Sequence, residues 1–356
     1  MTDQKPSTAL ATKEKDRKAD AQNETSSAEP RTRPTLKTIA FMTGLGITTI
    51  SKALKDAPDI GEATKKRVRH VADQVGYRPN RAGVRLRTGK TNVISLILNT
   101  EEEILGLTSQ MIQGISEVLA GTPYHLVVTP YTHASDPMDP VKYVVETGSA
   151  DGIIMSRMEP EDPRVRYLHD KNMPFVTHGR TEMGIDHAFH DYDNKTFASD
   201  AVDVLVRLGR KRLTLLGPPR TLTYSRHMSE GFLEGIARHD LQQIPLNQIT
   251  IDDDIQTIAN AVKKLMSGDM APDGIVCGAG SAGIAAAFGA EQAGFELGRK
   301  VDIVSKQSSF DMLKWFRPGL NVISEDFRDA GRDLARKVLA RIDGTPPSQL
   351  QTLAYS

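Results

Sequence analysis

The chain is poor in cysteine, in aromatic residues and in long apolar runs. Of its 356 residues one is cysteine, Cys277, one is tryptophan, and 5% are aromatic. A single cysteine excludes an intrachain disulfide and any cysteine-rich zinc site, and its expected place is a core, as a small apolar side chain. No apolar run reaches the ~20 residues that a bilayer-spanning helix needs, and the N-terminus lacks the apolar segment of a secretory signal. The cytoplasm is therefore the expected compartment, with no membrane partner. Net charge is absent too, since 45 Lys+Arg balance 45 Asp+Glu. What is present, 39% hydrophobic residues in 356, is enough for two or three domains with cores of their own.

The neutral total hides an uneven distribution. Residues 31–90 carry 14 basic and 4 acidic residues, a net of +10, whereas residues 91–356 carry a net of −9. A compact basic module on an acidic body is the footprint of a nucleic-acid binder. Residues 1–33 are rich in Lys, Asp, Glu, Ser and Thr and nearly neutral, and such a composition predicts a disordered tail. Inside the basic module, residues 35–55 read as two short helices and a tight turn. Leu36, Ile39 and Ala40 recur on one face of the first helix, 36–43. Gly44-Leu45-Gly46 breaks the pattern where a positive φ is needed. The second helix, from Ile47, turns Leu45, Ile50, Ala53 and Leu54 inward and Ile47, Thr48, Ser51 and Lys52 outward. This is a helix-turn-helix, whose second helix fits the DNA major groove. Hydroxyls and an ammonium on its outer face can bond base edges and phosphates. A third helix, 62–75, presents Val68, Val71, Ala72 and Val75 inward and Lys65, Lys66, Arg67 and Arg69 mostly outward. An ordinary helical bundle with a solvated charged face is the competing reading.

Beyond it, Pro79 halts the third helix and Asn80 can cap a short new one. This linker carries Arg78, Arg81, Arg85, Arg87 and Lys90. Thr38-Ile39-Ala40, then Thr48-Thr49-Ile50-Ser51-Lys52-Ala53-Leu54, then Gly76-Tyr77-Arg78-Pro79-Asn80-Arg81-Ala82, and Leu86 recur in an order and spacing that resembles the lactose-repressor/galactose-repressor family over about sixty residues. The resemblance implies a DNA-binding headpiece, a hinge helix and an effector-binding core akin to periplasmic sugar-binding proteins. It implies base contacts from Ile47, Thr48 and Lys52 and phosphate contacts at Thr49 and Ser51. It implies that Leu86 wedges into the minor groove, beside a basic linker in which Arg81 meets DNA. Two departures stand out. Gly46 replaces the family's usual Ser cap, and Gly83 lies within the hinge helix, where it costs about 1 kcal/mol against Ala.

The remaining residues alternate short apolar strands with helical patterns. Strands are expected at 93–98, 124–128, 152–155 and 174–177, with helices at 109–119 and 140–148. A second series follows: helix 194–208, strand 212–217, helix 226–237, strand 249–251, helix 255–266, strand 274–278, helix 281–293, strand 301–304. Such alternation predicts parallel sheets covered by helices. The expected class is α/β: a small all-α helix-turn-helix headpiece plus a two-lobed, periplasmic-binding-protein-like core of parallel sheets. The expected divisions are a tail at 1–33, a headpiece at 34–79, a hinge at 80–90 and the core at 91–356. Two such lobes leave a cleft at the strand C-terminal ends, where α/β proteins bind small molecules.

Candidate cleft residues follow from the resemblance. Arg226 matches the family arginine that grips the effector, and a guanidinium suits vicinal hydroxyls or a carboxylate. Asp193-Asn194 matches the family Asp-Asn pair, and Arg220 and Tyr224 share the loop of Arg226. Gln307 stands where the family has an Asp, Lys306 where it has an aromatic, and Gly280 where an Asp is frequent. Leu107 and Thr108 replace the aromatics of purine-binding members, which argues against a flat base. The implied effector is a sugar, disaccharide or polyol.

Two motifs point elsewhere. Gly278-Ala279-Gly280-Ser281-Ala282-Gly283 fits a dinucleotide-binding turn, but the next strand ends Val304-Ser305-Lys306-Gln307 without the required acid, so no cofactor is expected. His187, His190, Asp191 and Asp193 lack the regular spacing of a metal site; they read as an interlobe loop, and no metal is expected. No catalytic triad can be placed. The sequence thus points to a non-enzymatic, homodimeric regulator, in outline a repressor, that reads a near-palindromic operator on double-stranded DNA and answers to a small carbohydrate-like ligand.

Overall fold

The computed structural model describes residues 34–78, 89–99, 107–132, 134–246, 248–308 and 320–355. The expected tail and nearly all of the expected hinge, including Arg81, Gly83 and Leu86, lie outside the described residues, as does the acidic run Glu101-Glu102-Glu103. The chain divides into two compact units, Met1–Val84 and Arg85–Ser356.

The first unit is a three-helix bundle: α1 (Leu36–Thr43), α2 (Ile47–Leu54) and α3 (Glu62–Gln74). The Thr35 backbone N–H donates to Thr38 Oγ1 at 3.1 Å, which fixes the start of α1. Gly44 ends it at φ +69°, a left-handed conformation that glycine adopts without strain. Gly46 caps α2 with no side-chain bond, so the departure from the family's Ser leaves the first α2 amides without a capping hydroxyl. Ile39, Ile50, Ala53, Val68 and Ala72 form the core. Arg67 Nη2 donates to the Thr43 carbonyl at 2.9 Å and ties α3 to the end of α1.

Lys65 corrects the sequence reading: it is buried, not outward. Positions 65, 68 and 72 share the inner face of α3. The Lys65 stem covers apolar surface while its ammonium reaches Glu62 at 2.9 Å and Asp56 at 3.1 Å.

The second unit has two parallel sheets. The first, in spatial order β11-β5-β4-β3-β1-β2, comprises β1 (Val93–Asn99), β2 (His125–Tyr131), β3 (Gly152–Ser156), β4 (Phe175–His178), β5 (Ala188–Tyr192) and β11 (Gln351–Ala354). The second, in order β10-β9-β8-β6-β7, comprises β6 (Arg212–Leu216), β7 (Gln242–Gln243), β8 (Gly274–Cys277), β9 (Asp302–Ser308) and β10 (Leu320–Glu325). The helices are α4 (Leu107–Leu119), α5 (Met138–Thr147), α6 (Pro163–Asp170), α7 (Asn194–Arg207), α8 (Thr223–Arg238), α9 (Ile255–Met266), α10 (Gly280–Gln292) and α11 (Phe327–Ile342). Every paired strand is parallel to its neighbours. The apolar residues of β1, α4 and α11 make one core and those of β8, α9 and α10 another, with Cys277 fully buried in the latter.

Two expected elements change. The strand expected at 249–251 is a loop, and the edge position belongs to the two-residue β7. Asp253 Oδ2 accepts from Thr250 N at 2.7 Å and Thr250 Oγ1 at 3.0 Å, folding the segment into a turn; Ile249 and Ile251 serve as apolar plugs against the second sheet's core. Conversely, residues 188–192, expected as an interlobe loop, form β5. Its polar side chains are stabilised by distant partners: His190 Nδ1 lies 2.7 Å from Asp333 Oδ2, and Lys337 of α11 donates to that carboxylate and to the Phe189 carbonyl at 2.8 Å.

The chain passes between the lobes at Tyr192–Asn194 and at Glu325–Phe327. These crossings lie side by side, since Tyr192 Oη donates to the Ser324 carbonyl at 3.3 Å, and the end of β11 is tied to the first of them by Asp193 N–H, which donates to the Ala354 carbonyl at 2.8 Å.

Candidate DNA-reading face and effector cleft

The outer face of α2 presents Ile47, Thr48 and Lys52 to solvent, with Thr49 and Ser51 half-buried beside them. The five positions lie on one short helix, so a groove that admits α2 meets them together. Lys52 Nζ contacts Asp59 Oδ2 at 2.5 Å, with both side chains about half exposed (51% and 53%). An ion pair this open is weak and readily exchanged for a phosphate or base edge. Phe41 and Met42 of α1 are also exposed, a feature the sequence reading did not single out.

In the core, the strand ends carry a chain of buried charges. Lys306, at the end of β9, donates to Asn194 Oδ1 at 2.9 Å and contacts the Glu325 carboxylate. Its ammonium sits 4.4 Å from the Tyr192 ring centroid and 6.0 Å from that of Tyr224, a cation–π arrangement. From the first lobe, His178 Nε2 approaches Glu325 Oε1 at 3.2 Å, and its ring stacks on His190 at 6.1 Å. Burial pushes the Glu325 carboxyl up, but the Lys306 ammonium and His178 outweigh it and hold the group at about 2. Asp191 shows the opposite balance: burial raises its pKa, against the nearby Arg180 guanidinium at 3.3 Å. Further contacts bridge the two lobes. Arg157 Nη2 meets Asp252 Oδ2 at 2.5 Å, Thr223 N–H donates to the Met158 carbonyl at 2.8 Å, and Glu182 holds Arg226 with His227 3.7 Å away.

The five expected effector residues separate into two groups. Asp193, Tyr224 and Gln307 lie along the hinge side. Gln307 is buried, Tyr224 faces Lys306, and the Asp193 carboxylate caps α7, accepting from Thr196 N at 3.0 Å and Thr196 Oγ1 at 2.7 Å. Arg220 and Arg226 instead line a cavity of about 320 Å³ within the second lobe, against Ser229, Phe232 and Gln243. Met228, next to Arg226 in sequence but fully buried, packs on Gly278, with its sulfur 3.2 Å from where a Cβ there would lie.

His178, His227 and Glu325 were missed by sequence reasoning, and Asp191 was weighed only as a possible metal ligand. The only signal for them was a titratable residue at the end of an otherwise apolar strand or at the start of a helix.

The other motifs resolve locally. His187 bonds the Ile185 carbonyl, His190 meets Asp333, Asp191 faces Arg180 and Asp193 caps a helix, so the four side chains turn to four different partners. In the glycine turn, a Cβ at Gly283 would come within 2.6 Å of Ser305 Oγ; that glycine lets α10 lie close against β9.

Comparison with known proteins decides what this architecture is. Residues 92–354 match the family described as periplasmic binding proteins and sugar binding domain of LacI family, and residues 35–80 match the bacterial regulatory proteins of the lacI family. The chain belongs to the LacI family. It is a DNA-binding transcriptional regulator, not an enzyme. The transcriptional regulator AglR of Rhizobium meliloti (strain 1021) is 28% identical over 327 residues, covering 88% of this chain and 90% of that one. RafR of Escherichia coli is 28% identical over 323 residues, covering 89% and 94%. Among solved structures, the Lac repressor dimer bound to operator and the anti-inducer ONPF aligns with a TM-score of 0.77 at 18% identity, covering 88% of this chain and 94% of that one. The CelR–cellobiose complex aligns at 0.63 and 18% identity, covering 90% and 97%. The LacI-family fold thus accounts for both lobes and the headpiece. No helix among the described residues is long and apolar enough to cross a membrane.

Proposed function

We propose that the protein is a cytoplasmic homodimeric repressor whose hold on an operator is set by a carbohydrate bound between the two lobes of its core. The observation that carries this is the union, in one chain, of a LacI headpiece match and a LacI sugar-binding-domain match. The solved neighbours add support: one is a dimer on operator DNA and another holds cellobiose. CytR of Escherichia coli, 22% identical, is a repressor by name.

In this reading Ile47, Thr48 and Lys52 read base edges and Thr49 and Ser51 meet phosphates. Arg81 and Leu86, outside the described residues, serve the backbone and the minor-groove wedge. The working divisions are a headpiece at 34–79, a hinge at 80–90 and a core at 91–356, after a tail at 1–33. On the effector side, Tyr224 offers a ring face for a sugar and Gln307 an amide for its hydroxyls, while Asp193 shapes the crossing between the lobes. Arg226 guards the cleft mouth through Glu182 and Arg220 stands further out. Effector binding changes lobe closure and so shifts the DNA-competent population.

The test is selection of genomic DNA fragments by the full-length protein at physiological salt, then repeated with a panel of sugars that includes cellobiose. A short near-palindrome, released by one sugar class, supports the reading. Enrichment that no sugar changes removes the carbohydrate effector, and no enrichment under any condition removes sequence-specific repression.

A further inference from the structure

We infer that the cavity lined by Arg220 and Arg226 is a second ligand site, separate from the interlobe cleft, built for a small phosphate-bearing metabolite. Its volume of about 320 Å³ falls at the lower end of the ~300–1,000 Å³ of small-molecule pockets. Every lining residue comes from the second lobe: Leu215 from β6, Arg220 from the loop after it, Ser229 and Phe232 from α8, and Gln243 from the edge strand β7. A ligand there would rest on one lobe alone, whereas a cleft effector must touch both.

The charge of the lining selects the ligand. Two guanidinium groups face the cavity, and no carboxylate lines it among the described residues. Arg220 is exposed and has no ion-pair or hydrogen-bond partner among them. An arginine left unpaired beside a concave surface is an unsatisfied fork of donors, and that fork matches a phosphate's oxygens. Ser229 and Gln243 add neutral polar groups suited to hydroxyls, and Phe232 and Leu215 supply an apolar floor. The combination fits a phosphate monoester on a hydroxylated, sugar-sized body.

Arg226 links this site to lobe closure. Its guanidinium is paired with Glu182, which belongs to the first lobe. An anion in the cavity competes with Glu182 for Arg226, so occupancy loosens one cross-lobe contact. The second site would thereby shift the same equilibrium that the cleft effector controls, from a different position and through a different chemistry.

Titration calorimetry of the full-length protein with glucose 1-phosphate, in a phosphate-free buffer at fixed ionic strength, tests the assignment. Saturable binding is expected. Arg220→Gln should weaken it roughly 10- to 100-fold, as loss of a charge-assisted bond implies. Leu233→Glu, which places a carboxylate in the lining, should weaken it similarly. Both residues are exposed, so both variants should fold, and retained operator binding checks this. Glu182→Gln should tighten the binding several-fold. Absence of binding by the native protein, or equal binding by both cavity variants, would overturn the site; equal binding would put the anion elsewhere, for example on the basic headpiece. Inorganic phosphate binding as tightly as glucose 1-phosphate would mean an adventitious ion only. Unchanged affinity in Glu182→Gln would overturn the link to lobe closure.

Discussion

The headpiece and the hinge of the core both display lysine–carboxylate pairs, and the two pairs differ in every physical respect. Lys52 and Asp59 meet on an open helix face at about half exposure (51% and 53%), where water screens them and the bond contributes little. Lys306 and Glu325 meet at 10% and 3% exposure, with His178, Asn194 and Tyr192 around them. There the desolvation cost is large and is offset only while every partner stays in place. The same two charges thus do opposite work. On the headpiece they form an open contact that is readily exchanged, and at the hinge they form a contact that fixes geometry. Exposure, not residue type, sets the role.

The sharpest way to break this comparison is to remove one member of the buried pair. Glu325→Gln leaves the Lys306 ammonium buried without a counter-charge and should cost about 3–5 kcal/mol in urea unfolding. The double variant Lys306→Met/Glu325→Leu should recover most of that loss, because the uncompensated charge is gone; a double variant as unstable as the single one would contradict the argument. Next in size is the pH dependence. A carboxyl held at about 2 rather than its usual 4.5 contributes its stability fully above pH ~4.5. That contribution, about 3 kcal/mol from a shift of this size, is lost as the pH falls from there towards 2. Urea midpoints measured across that range should fall steeply for the native protein and more shallowly for Glu325→Gln.

The exposed pair should behave differently. Lys52→Ala should leave the unfolding midpoint unchanged while reducing discrimination between operator and unrelated DNA by roughly 10- to 100-fold, the range for loss of one base-edge contact. Selectivity that survives the change would take Lys52 out of base readout. The smallest effect is expected from Asp59→Asn, which frees Lys52: a slight gain in operator affinity at low salt that fades as salt is raised.

The headpiece was the most legible part of the chain. Its helix starts at Leu36 and Ile47 follow from apolar spacing and from Gly44 and Gly46, all local signals. Lys65 escaped, because whether a lysine lies over a core depends on acids elsewhere, here Asp56 and Glu62. In the core, the alternation of apolar strands and amphipathic helices revealed the parallel sheets. β5 did not read as a strand because His190 and Asp191 interrupt its apolar pattern; the partner of His190, Asp333, lies 143 residues away, and that of Asp191 is Arg180. α6, β10, α11 and β11 were also not read, although α11 packs Leu334, Ala335 and Val338 into the first sheet's core. Among candidate site residues, Arg226 was found through its motif, but its helical phase directs it to the cavity and to Glu182. Two positions on, Met228 takes the buried place against Gly278.

Two side-by-side crossings between the lobes, with the end of β11 bonded to the first, have a mechanical consequence. A single flexible strap would let the lobes twist, slide and bend. Two adjacent straps, bonded to each other at Tyr192–Ser324 and to the end of β11 at Asp193–Ala354, leave one easy coordinate, a rotation about the line they define. Whatever occupies the cleft can then be expressed only as an opening angle, and ligands of different shape become comparable as positions on a single dial.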